Sequence, residues 1–114
     1  MVTQQFRIIA ERRDPQWIAH AERVDGAGRF GIECAGATEA EAIERMRGWL
    51  DWQAEHAAAL EALQRAERAY HRAIAGSAFA SPVEGPSALE IQKDSLDEVE
   101  AARIRLDEIR ARQP

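Results

Sequence analysis

The chain has 114 residues, with 15 Lys and Arg against 20 Asp and Glu and a formal net charge of −5. A hydrophobic share of 46% excludes a disordered tail and fits a folded soluble protein, and 6% aromatics leaves the core to aliphatic side chains and alanine. No segment is basic overall: residues 1–50 carry seven Arg against eight acids, residues 51–86 three against five, and residues 87–114 five basic against seven acidic, so nucleic acid, which needs clustered Lys and Arg, is not an expected partner.

Residues 4–35 alternate with period two, the mark of a half-buried antiparallel sheet. Phe6, Ile8 and Ala10 share one face. Residues 17–24 have two faces, Trp17/Ala19/Ala21 and Ile18/His20/Glu22/Val24. In residues 29–34, Phe30, Ile32 and Cys34 point the same way. Arg13-Asp14-Pro15-Gln16 and Asp25-Gly26-Ala27-Gly28 supply turn chemistry between them. The prediction is a three-stranded antiparallel meander.

Thr38-Glu39-Ala40-Glu41 is a capping box, in which a Thr oxygen takes a free backbone N–H and Glu41 reaches back. A helix starting there has Ile43, Met46, Trp49/Leu50 and Gln53 on one side, to lie across the sheet as a βββα unit. The stripe continues through Ala57, Leu60, Leu63, Ala66, Tyr70 and Ala73/Ile74. Gly48 costs a helix roughly 1 kcal/mol against Ala without ending it, so whether one helix passes through it is left open. Residues 76–86 form an Ala/Ser/Gly/Pro-rich breaker, with Phe79 and Val83 able to tuck onto the helices. Ser87 and Glu90 then open a last helix with a seam of Leu89, Leu96, Val99, Ala102, Leu106 and Ile109. The predicted architecture is α+β: a βββα domain over residues 1–50, then an antiparallel helical hairpin over residues 51–114, with helices at about 51–75 and 87–112.

Two helices with several alanines bury one thin seam, which is marginal in isolation. Pairing two hairpins as a coiled-coil-like four-helix bundle remedies this. The expectation is a homodimer, with Leu60, Leu63, Tyr70, Leu96, Val99, Leu106 and Ile109 as self-association residues. Trp49 and Trp52, joined by Trp17 from the sheet, are read as a core cluster at the domain–hairpin junction, or as a protein-partner patch.

Catalytic, cofactor and metal roles are not assigned to any residue. Cys34, the only cysteine, rules out an internal disulfide and a paired-cysteine metal knuckle. Its alternation puts it on the apolar face as a buried structural thiol, not as a nucleophile with His20 as its base. His56 and His71 lie 15 residues apart, and Glu67 precedes His71 by four, so the Glu-x-x-His spacing of helical di-metal sites is missing. Gly26, Gly28 and Gly31 match G-x-G-x-x-G but precede no helix, which reads as a turn and not as a dinucleotide site. No apolar run reaches roughly 18 residues, and Met1-Val2-Thr3-Gln4-Gln5 is unlike a signal peptide, so no membrane contact and a cytoplasmic location are expected.

The sheet followed by Gly36-Ala37-Thr38-Glu39-Ala40-Glu41-Ala42 resembles the HicB-like antitoxin domain. Gly36, Thr38, Glu41 and Ala42 match its Gly-x-Thr-x-x-Glu-Ala turn into a helix, and the resemblance covers residues 4–50. It implies a non-catalytic domain whose sheet edge or helix face meets another protein. Members with this domain often mask a small RNase toxin. The family's DNA-binding C-terminus is replaced here by the hairpin. The expected function is a non-enzymatic interaction or scaffold protein that dimerises and presents HicB-like domains to a protein partner. The alternatives are an antitoxin-like inhibitor of a small toxin, or a small enzyme or ligand-binding protein with a site at the dimer interface involving His20, Glu33 and Cys34.

Overall fold

A computed structural model describes residues 5–26, 28–77 and 88–114. Its elements run β1 (Phe6–Arg13), β2 (Gln16–Arg23), β3 (Cys34–Gly36), α1 (Glu39–Ser77) and α2 (Ala88–Ala111). The chain folds as two compact units that divide inside α1, the first reaching Asp51 and the second running from Trp52 to Gln113.

The first unit is an antiparallel sheet in the order β1-β2-β3, with the opening part of α1 on one face. Asp14-Pro15 turns β1 into β2, and Arg12 braces the turn with a 2.7 Å bond from its Nε to Asp14. The register sets Ile8 against Ala21 and Ala10 against Ala19. Ala19 and Ala21 are fully buried with Ala42 and Met46 of α1, since alanine on the central strand lets a helix backbone come close. Phe6 meets Phe30 edge-on, ring centroids 5.8 Å apart, at the margin of this core.

The third strand is shorter and later than the alternation of residues 29–34 predicts. Arg29 makes only an isolated bridge to Glu22, and ladder pairing resumes at Cys34 opposite Ala19. Between these points β2 moves three residues while the facing chain moves five, leaving two extra residues in a wide bulge. An even excess preserves facing, so Phe30 and Ile32 still pack on the same core as Cys34. Gly26 closes the preceding turn at φ 77°, a conformation that favours glycine.

The entry to α1 follows the capping box. The Glu41 N–H donates to Thr38 Oγ1 at 3.1 Å, and Glu41 Oε2 accepts from the N–H of Ala37, also at 3.1 Å. A Cβ on Gly36 would stand 2.6 Å from the Ala42 backbone nitrogen, so only glycine lets β3 pass this close to the helix. Arg45 pairs with Glu41 and donates to the Ala35 carbonyl at 2.6 Å, tying helix to strand a second time. The question at Gly48 is resolved: α1 is one helix of 39 residues, with Gly48 exposed inside it.

The second unit is a helical hairpin. Ala59 and Leu63 of α1 pack with Val99, Leu106 and Ile109 of α2, flanked by Trp52, Leu60, Ala66, Tyr70 and Ala102. Two details differ from the predicted seam. Leu89 and Leu96 lie outside the core, 77% and 38% exposed. Ala57 is exposed and Ala59 takes the buried position, because the α1 stripe runs back through Trp52. Gly76 and Ser77 belong to α1; Phe79, Val83 and the Ser87 cap lie outside the described residues.

Candidate functional site

The three tryptophans are divided between two cores. Trp17 and Trp49 pack against the core of the first unit, and Trp52 packs in the hairpin. All three are half-buried. Trp52 has the most specific surroundings. Its Nε1–H donates to the Ile109 carbonyl at 2.8 Å, and its ring stacks on His56 with centroids 5.0 Å apart. His56 Nε2 accepts from Arg110 Nε at 3.3 Å, and Arg112 pairs with Glu55 at 3.3 Å. Residues 52–56 thus clasp the C-terminal end of α2 with one apolar plate and three polar contacts. The i, i+4 spacing of Trp52 and His56 was visible in the sequence, but their α2 partners 54 to 57 positions away were not.

Most of the expected self-association residues are used inside the hairpin. Leu63, Val99, Leu106 and Ile109 are 9% exposed or less, and Leu60 and Tyr70 pack against them. Leu96 alone of that set is substantially exposed, and it is not alone on the helix surface. Leu89 and Ile104 are 77% and 60% exposed on the same side of the helix, whereas Ile91, 46% exposed, lies at the angle of the seam. Apolar side chains on the outer face of α2 are the residues that sequence reasoning missed as a surface; treating every leucine as part of one stripe hid them.

The sheet face away from α1 carries a charged network. Glu22 lies 3.4 Å from His20 Nε2, 3.7 Å from Arg7 and 3.9 Å from Arg29. Its carboxylate sits among three basic side chains drawn from β2, β1 and the loop after β2. His20 is buried, at 5% exposure.

Cys34 pairs with Ala19, so it faces the core while His20, the next residue on β2, projects to the opposite side. Thiol and imidazole therefore form no nucleophile–base pair. Burial pushes the Cys34 thiol above its ordinary value of 9.0, opposed by the Arg45 charge, which leaves it protonated and unreactive at neutral pH. Gly26, Gly28 and Gly31 lie between β2 and β3 and lead into no helix. Among the described residues, no three His, Cys, Asp or Glu side chains gather as a metal site, and no helix is long and apolar enough to cross a membrane.

Comparison with known proteins gives no match to a family model, a curated protein or a solved structure. The surfaces of the chain itself therefore carry the functional reading. Two stand out: the outer face of α2, and a three-stranded sheet whose outer strands β1 and β3 each have one unpaired edge within the sheet.

Proposed function

We propose that the chain is a non-catalytic interaction protein that dimerises through its helical hairpin and presents a HicB-like βββα unit, residues 4–50, to a protein partner. The observation that carries this reading is the row of exposed Leu89, Leu96 and Ile104 on α2, a helix that already buries a separate apolar seam against α1. Apolar side chains on two sides of one helix call for two neighbours. The expected capping geometry at Thr38, the close pass at Gly36 and the helix on one sheet face support the HicB-like part. A partner would meet this unit at an outer strand, where unpaired backbone groups can extend the sheet. The buried protonated thiol and its separation from His20 favour interaction over catalysis.

Light scattering after size exclusion of the full chain tests the assembly. The expected mass is twice 12.7 kDa. A particle of 12.7 kDa at every concentration up to about 100 times that of a micromolar dissociation constant would overturn it.

A further inference from the structure

This inference rests on the dimer just proposed and specifies its surface. We propose that α2 pairs antiparallel with α2 of a second copy, centred on Glu100, so that Leu96 meets Ile104 and Lys93 meets Asp107 across the pair.

Position on the helix comes first. At about 100° per residue, Leu89, Lys93, Leu96, Glu100, Ile104 and Asp107 share a strip about 80° wide, set about a third of a turn from the seam of Val99, Ala102, Leu106 and Ile109. The three apolar members are 38% to 77% exposed. The strip therefore faces away from the α1 contact.

Charge then selects the occupant and its direction. Residues 88–100 hold five acids and one Lys, and residues 101–112 hold four Arg and two acids. A second copy lying antiparallel sets each acidic half on a basic half. A parallel copy sets like on like. In the antiparallel register centred on Glu100, Lys93 and Asp107 are complementary, and two-fold symmetry makes this pair twice. Lys93 and Asp107 make no ion pair with other described residues, so each is available. The axis brings Glu100 to its own copy, and Arg103 of each chain, one turn away, offsets that repulsion.

Charge exchange on the full chain is the test. Lys93→Asp and Asp107→Lys alter exposed residues off the seam, and circular dichroism checks that each variant keeps its helix content. Sedimentation over a concentration series should show a wild-type dimer and a dissociation constant raised at least about tenfold in each single variant. An equimolar mixture of the two variants should regain the wild-type constant, because each supplies the charge the other now lacks. Wild-type monomer throughout overturns both the dimer and this pairing. A wild-type dimer whose variants assemble unchanged keeps the dimer and overturns the α2 surface, leaving the exposed row to a foreign protein. Weakened single variants with no recovery on mixing overturn the antiparallel register. If either variant loses helix content, Lys93→Glu and Asp107→Arg are exchanged in the same way, with the same readings.

Discussion

Replacing Trp52 separates a clasp within the hairpin from a patch that waits for a partner. The indole is half-buried, packs on the core around Leu63 and Ile109, stacks on His56 at 5.0 Å and donates to the Ile109 carbonyl at 2.8 Å. Truncating a fully buried tryptophan to alanine costs about 3–5 kcal/mol, and partial exposure brings this to about 2–3 kcal/mol. The hydrogen bond is a minor part. The Ile109 carbonyl also accepts from the Arg112 N–H at 3.0 Å, so loss of the indole does not orphan it, and the bond is worth about 1 kcal/mol. Trp52→Phe should then cost about 1–1.5 kcal/mol and Trp52→Ala about 2–3 kcal/mol. Urea unfolding followed by circular dichroism at the helix band reads this directly. With a slope of about 1–3 kcal/mol per molar urea, the alanine variant should lose about 1–2 M of midpoint. An unchanged midpoint in Trp52→Ala would refute the clasp and return Trp52 to the role of partner anchor.

Three further outcomes are expected. Gly36→Ala drives a methyl to 2.6 Å from the Ala42 backbone nitrogen and should cost about 2–3 kcal/mol, read as a lowered melting temperature with loss of sheet signal; an unchanged melt would show that β3 and α1 separate freely. Gly48→Ala adds a methyl with nothing within 4 Å in an exposed helix interior and should stabilise by about 1 kcal/mol in the same melt; destabilisation would mean that α1 is broken there. The thiol of Cys34 is raised in the folded chain above 9.0, so the folded state holds its proton where the unfolded state loses it. Stability from this group is complete below pH 9.0 and falls as pH rises past it; Cys34→Ala should flatten that alkaline loss, and an identical pH profile in the variant would contradict the burial.

Local chemistry was legible wherever one short segment decides the outcome. Alternation placed β1 and β2 and set Trp17, Ala19 and Ala21 on one common face, which the structure makes the core face, and Thr38 and Glu41 marked the helix start. The third strand misled for a physical reason: alternation at Phe30, Ile32 and Cys34 reports which way side chains point, and a bulge can keep that facing while the ladder is interrupted. The α2 seam misled for another. Leu89 and Leu96 are seven apart, as are Val99 and Leu106, yet the two pairs lie on different sides of a helix with about 3.6 residues per turn. Trp49 and Trp52 have the spacing of one helix face, but the boundary between the two units falls at Asp51 and Trp52. The clasp at Trp52 depends on residues more than fifty positions distant, which no local spacing encodes.

The two surplus residues opposite β2 set a rule for length variation in this protein. Facing in a strand has parity, so removing one residue between Arg29 and Cys34 would turn Cys34 outward, bring Ala35 over the core and move Gly36 off its close pass against α1. Removing two would restore the ladder without turning a single side chain over. Natural or engineered variants of this stretch should therefore differ in length by even numbers, and an odd change should appear only together with a compensating one before Gly36.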